Sequence, residues 1–258
     1  MEEMGGRSGA AAFLALSLCA RTLCAERRIH AADFTTPTPA PAGSMIVIGF
    51  LGAWEVWDNP KRSVRKLALR LRDMKAPGLY AESAGNHSRD EVRHFLKKAL
   101  DRNGDGKINA EEARQVGIIF YGQSFGGASA VKLARELKRW NVPVQLTIQV
   151  DSVGRDDDLI PSNVKRAMNM YQHDPGSIWG RNAITAEDPA KTQILGNQRF
   201  IYLFRFDIDM SDYPAITRKA PMAHFKMDND PIVWGIVEGL ILQEYARWKA
   251  ALAGLQTE

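Results

Sequence analysis

The chain has 258 residues, of which 45% are hydrophobic, 25% charged and 9% aromatic. That composition suits one core of α/β size and excludes a disordered or fibrous chain. The formal charge of +4 comes mostly from scattered Lys and Arg, which points away from a nucleic-acid partner.

The first feature in chain order is the apolar run "SGAAAFLALSLCA", Ser8 to Ala20. It is too short for a bilayer span, which needs about 20 residues, and has the length of a signal-peptide core. Residues 1–25 are therefore expected to be a leader and the protein to be exported, periplasmic or extracellular; if the segment is not a signal peptide, the protein would be cytoplasmic. No stable membrane span is expected. Both cysteines, Cys19 and Cys24, fall in this segment, so the folded part would lack a disulfide. Residues 26–44 include "FTTPTPAPAG", a Pro-rich tether pattern, and a single domain is expected over 45–258.

From Met45 onward, short apolar runs alternate with helical patterns, the signature of βαβ units around a parallel sheet. "SMIVIGF" reads as the first strand. "KRSVRKLALRLRDMK" reads as a helix over 62–74, with Val64, Leu67, Ala68 and Leu71 on its apolar face and a solvated basic face opposite. "GLYAES" is a strand and 89–100 a helix carrying Val92, Phe95, Leu96 and Leu100 inward. "VGIIFYG" is the next strand, followed by a helix over 126–139 and the strand "VQLTIQVD". Residues 152–198 read as irregular, "RFIYLFRFD" as the last strand, and 231–252 as a closing helix.

Two constellations carry chemistry. In "DRNGDGKINAEE", Asp101, Asn103 and Asp105 supply side-chain oxygens, Lys107 a backbone carbonyl, Asn109 a direct or water-mediated ligand and Glu112 a bidentate carboxylate, with Gly106 at the sharp turn. A flexible ring of hard oxygens is what Ca2+ requires. The segment resembles an EF-hand loop with an entering helix before it, and Ile108 stands where a second loop would pair. No second loop is present in the sequence, so a structural role for calcium is expected.

The second is "GQSFGG", Gly122 to Gly127, which matches G-x-S-x-G between a strand and a helix. Such a turn exposes the Ser124 hydroxyl above a sheet, and its glycines allow the tight crossing. A serine nucleophile needs a base and an orienting acid. His30 is in the tether, and His87 and His94 precede the serine, which leaves His173 and His224; the latter, in the loop before the closing helix, is preferred. For the acid, Asp151 at the end of the following strand is preferred over Asp207 and Asp209. The glycine-rich turn in "IGFLGAWE" nominates the backbone amides of Phe50 and Leu51, with that of Phe125, as an oxyanion hole.

From Met45 to the C-terminus this order of motifs resembles the α/β-hydrolase superfamily, and the acid directly after the strand following the serine is similar to its lipase branch. "NVKRAMNMYQ" and "HFKMDNDP" are similar to segments of bacterial lipase-like hydrolases. The resemblance implies a three-layer, mostly parallel sheet with helices on both faces. It also implies hydrolysis of a small-molecule or lipid ester, or a thioester, without a catalytic cofactor. Met168, Met170, Tyr171, Ile178 and Trp179 are candidates to cap an acyl site, or equally ordinary core residues. A catalytically silent fold bearing a calcium loop is the competing reading, and the oligomeric state is left open.

Overall fold

The computed structural model describes residues 29–53, 55–219 and 222–254. The expected leader and both cysteines lie outside the described residues.

Six parallel strands form the central sheet in the order β2-β1-β3-β4-β6-β8. These are β1 (Met45–Leu51), β2 (Leu79–Gly85), β3 (Gly117–Gln123), β4 (Val144–Val150), β6 (Val164–Gln172) and β8 (Gln193–Phe200). A two-stranded parallel ribbon, β5 (Leu159–Ile160) and β7 (Thr185–Ala186), lies apart from it. The helices are α1 (Ser63–Asp73), α2 (Arg89–Leu100), α3 (Glu112–Gln115), α4 (Phe125–Lys138), α5 (Ala215–Lys219), α6 (Ala223–Asn229) and α7 (Pro231–Gly254). Among the described residues, no helix is long and apolar enough to cross a membrane.

The alternation of the strands divides the core into two layers. Ile46, Ile48 and Phe50 of β1 and Ile118 and Phe120 of β3 pack with α2 and α4. Met45, Val47 and Leu51 of β1 and Ile119 and Tyr121 of β3 pack with α1 and α7. Buried on both sides, these strands are continuously apolar, as a parallel sheet covered by helices requires. The fold is the expected three-layer α/β arrangement with helices on both faces. The strand order turns back between β1 and β3, and such a switch point leaves a crevice at the carboxyl ends of the strands. Ser124 follows β3 there.

Three expectations are corrected. Residues 29–44 are packed on the domain and are not a free tether: Phe34 stacks on Phe95 with centroids 4.2 Å apart. The backbone N–H groups and hydroxyls of Thr35 and Thr36 all donate to the Glu82 carboxylate. Glu82 is almost fully buried and also pairs with Arg72, so these donors satisfy a charge that would otherwise be desolvated alone.

Residues 152–198, expected to be irregular, contain β6 and most of β8. Met168 and Met170 are core residues of β6, and His173 directly follows that strand.

The last strand ends at Phe200, and in "IYLFRF" beyond it Tyr202 is buried while the other apolar side chains are exposed. Ile201, Leu203, Phe204 and Phe206 are 61%, 52%, 79% and 85% exposed, which hydrophobicity alone could not have signalled.

Candidate active site

Ser124 stands between β3 and α4 with φ 56° and ψ −128°. This left-handed backbone is costly for a residue with a Cβ and is maintained only when its surroundings enforce it. The Ser124 N–H donates to the Val150 carbonyl at 3.0 Å, and the Ser124 carbonyl accepts from Gly127 at 3.0 Å and Val153 at 3.1 Å. The end of β4 and the first turn of α4 thus hold the serine from both sides. Two glycines make the crossing possible. A Cβ on Gly122 would lie 2.4 Å from the Gly126 carbonyl carbon, and one on Gly126 would lie 1.9 Å from the Phe50 carbonyl oxygen.

Asp151 directly follows β4, also with positive φ, at 44°. It is fully buried. Its Oδ1 accepts from the N–H of Gly180 at 3.0 Å and that of Gln172 at 3.2 Å. Oδ2 accepts from the Gln172 side chain at 2.8 Å and lies 2.6 Å from Nδ1 of His224. Every lone-pair direction of this buried carboxylate therefore has a donor.

His224 is in the first turn of α6 and 4% exposed. Its backbone N–H donates to Ser177 Oγ at 3.0 Å. The 174–180 loop thus touches both partners, with Ser177 on the histidine and Gly180 on the aspartate. Neither competing acid reaches the ring. Asp207 is tied to Arg205 and Asp209 to Ser211, both on the surface. Those hydrogen bonds hold both carboxyls below their usual range.

The structure therefore brings Asp151 and His224 together beside Ser124, but it does not join all three. The Nε2 of His224 has the side-chain nitrogen of Gln123 at 3.3 Å. Among the described residues no hydrogen bond links the ring to Ser124 Oγ. Neither Gln123 nor Gln172 is a candidate on sequence grounds. Gln123 is the variable position inside G-x-S-x-G, and the only available signal was its adjacency to the serine. Nothing marked Gln172.

Phe50 and Leu51 are the last two residues of β1, with Phe50 opposite Gly122 of β3 and Leu51 opposite Gly85 of β2. Gly52, one residue further, faces the serine: a Cβ there would lie 3.1 Å from Ser124 Cβ. Phe125 opens α4, where the amides and the dipole of the helix favour negative charge. Of the proposed cap, Trp179 is 54% exposed and its indole N–H donates to the Asp174 carbonyl. Tyr171 and Ile178 are half-buried. A groove of about 880 Å³ lined by Gly43, Glu111, Arg114 and Lys249 shares no residue with the Ser124 site.

The 101–112 loop lies at the opposite end of β3, between α2 and α3. Gly104 and Gly106 are left-handed, with φ of 75° and 77°. Asp101 accepts from the N–H groups of Gly104 and Gly106, Asn103 from Asp105, and Asp105 from Lys107. Asn109 Oδ1 accepts from Glu111 and Glu112, which caps the start of α3. Glu112 accepts from the N–H groups of Asn109, Arg102 and Asn103, and these amides, Asn109 first, hold its carboxyl below the usual range.

Ile108 packs against the domain core and so has a partner without a second loop. The exit from the loop is a single turn leading into β3, unlike the long second helix of a helix-loop-helix pair. Among the described residues, no three His, Cys, Asp or Glu side chains converge closely enough to hold a metal ion.

The sequence matches no family model and no curated protein. Among solved structures, the chain is similar to one described as a dienelactone hydrolase-like promiscuous phosphotriesterase from metagenomic libraries. The two are 17% identical over 82% of this chain and 89% of that one, with a TM-score of 0.34.

Proposed function

We propose that the protein is a serine hydrolase of carboxylic ester or thioester bonds that works through an acyl-enzyme on Ser124. The observation that carries this reading is the 2.6 Å contact between His224 Nδ1 and the buried carboxylate of Asp151, set beside a serine on a left-handed turn at the switch point of the sheet. In this mechanism Ser124 Oγ attacks the acyl carbon and its proton passes to His224 Nε2. Asp151 stays ionised, orients the ring and stabilises the imidazolium. The oxyanion is received by the Phe125 amide and the amides at the end of β1, Phe50 and Leu51. His224 then returns the proton to the leaving alkoxide or thiolate. Water, activated by the same ring, releases the acid. The substrate class is a small-molecule or lipid ester.

The loop over 101–112 is read as a structural calcium site. Its donors, Asp101, Asn103, Asp105, the Lys107 carbonyl, Asn109 and Glu112, are the hard oxygens calcium prefers, and left-handed Gly106 suits the turn. Each carboxylate oxygen of Asp101 and Asp105 accepts one N–H and retains a lone pair for a cation, but closure would require Glu112 to turn from its amides. Bound calcium would supply a charge centre that fixes the entry to β3. Export by a leader over 1–25 completes the proposal.

The test is a fluorophosphonate probe, which should label wild-type protein and fail on Ser124→Ala. The second reading, a calcium-binding module on a silent fold, draws on the missing hydrogen bond between Ser124 and His224. It predicts no labelling of either protein.

A further inference from the structure

The side chain next to the reactive serine occupies the nitrogen that the serine needs. Gln123 is 7% exposed. Its Nε2 lies 3.3 Å from His224 Nε2, and its Oε1 would meet a Cβ on Gly52 at 2.7 Å. The side chain therefore lies between Gly52, which follows β1, and the imidazole.

An amide nitrogen can only donate, so the contact requires His224 Nε2 to present its lone pair. The ring proton then resides on Nδ1, where the Asp151 carboxylate is 2.6 Å away. One hydrogen bond thus fixes the tautomer that a general base needs while also occupying the base.

We propose that Gln123 is a positioning residue that guards His224 in the resting protein. It engages the lone pair of His224 Nε2, and it yields that lone pair to the Ser124 hydroxyl only when the acyl group enters. The exchange involves no net bond change in the protein: the amide N–H leaves Nε2 and the serine O–H takes its place. The inference rests on the serine-hydrolase reading for its second half only, since the contact between Gln123 and His224 is independent of any activity.

Because an intramolecular hydrogen bond is worth about 0.5–1.5 kcal/mol net, releasing it should raise the availability of Nε2 by about three- to tenfold. Gln123→Met and Gln123→Leu both remove the donor at similar volume, and two variants guard against one that folds poorly. The experiment is long-range 1H–15N NMR of the His224 ring in wild type and both variants, together with the rate of fluorophosphonate labelling. The expected result is that the Nε2 signal moves to the position of a free unprotonated nitrogen in the variants and that Ser124 labels about three- to tenfold faster. An unchanged Nε2 signal overturns the proposal, as does labelling at the wild-type rate or below it. If the NMR signal moves but wild type never labels, the guard contact stands and the serine-hydrolase reading falls.

Discussion

The His224 ring and the Asp151 carboxylate meet at 2.6 Å inside a site from which water is almost entirely excluded. A carboxylate so placed fixes which imidazole nitrogen carries the proton. Asp151→Asn keeps its volume but offers an NH2 group as readily as an oxygen, so the ring can settle in the wrong tautomer. Fluorophosphonate labelling of Ser124 should fall about 10³- to 10⁴-fold in this variant. Asp207→Asn and Asp209→Asn, whose carboxylates serve Arg205 and Ser211, should stay within about twofold of wild type. A loss confined to Asp207 or Asp209 would move the acid elsewhere.

The turn itself can be tested without chemistry. Gly126→Ala places a methyl 1.9 Å from a backbone oxygen that cannot move without disturbing β1, and Gly122→Ala places one 2.4 Å from the first turn of α4. Each should lower unfolding stability by more than about 2 kcal/mol, measured in urea. Gly235 and Gly239 on α7 provide the contrast, since a Cβ at either meets nothing within 4 Å. Alanine there should add about 0.5–1 kcal/mol, the ordinary gain for an exposed helical glycine.

Much of this arrangement was legible in the sequence. β1 and β3 are almost continuously apolar, and α1 and α2 are amphipathic with a helical period, because each packs in a regular layer. The places of Ser124 after β3 and of Asp151 after β4 follow from that order, whereas His224, expected in a loop, is in the first turn of α6. The rest was hidden for physical reasons. β6 carries Lys165 and Arg166 near its start; Arg166 pairs with the buried Glu244 of α7, so a core strand contains charge. β8 is an edge strand with half its surface in solvent, so "QILGNQRF" lacks an apolar signature. "IYLFRF" has that signature, yet of its apolar residues Tyr202 alone is buried. The role of Gln123 depends on a side-chain contact across 101 residues, which no local pattern encodes.

Calcium should act on stability more than on chemistry, because the loop and Ser124 lie at opposite ends of β3. At a concentration 100-fold above its dissociation constant, calcium bound only to the folded state adds about 2.7 kcal/mol. For a domain of this size that is a rise in melting temperature of about 5–10 °C. Chelator should reverse it, and Glu112→Gln, which removes the bidentate carboxylate, should abolish it. Identical melting with calcium and with chelator would end the calcium reading.

One turn beyond His224 on α6, Asp228 is buried, accepts a 2.6 Å hydrogen bond from the Tyr213 hydroxyl and lies 3.9 Å from Arg62. Burial raises its carboxyl above the usual value, against the opposing pull of Arg62 and of the Tyr213 hydrogen bond. Burial also pushes the Tyr213 phenol well up, so it remains a donor. A carboxyl raised in the folded state contributes fully below its unfolded value, about 3.9, and that contribution is lost as pH rises through the folded value. Tyr213 offsets part of the loss by donating to the ionised form. Tyr213→Phe should therefore cost about 1–3 kcal/mol at pH 7, with a smaller cost at pH 4, where Asp228 is more protonated. Combining it with Asp228→Asn should make the cost of Tyr213→Phe the same at both pH values, because nothing at that position then ionises. Urea unfolding of the four proteins at the two pH values decides it. A Tyr213→Phe cost that does not change with pH would show that the contribution of the hydroxyl is not linked to ionisation of Asp228 in this range.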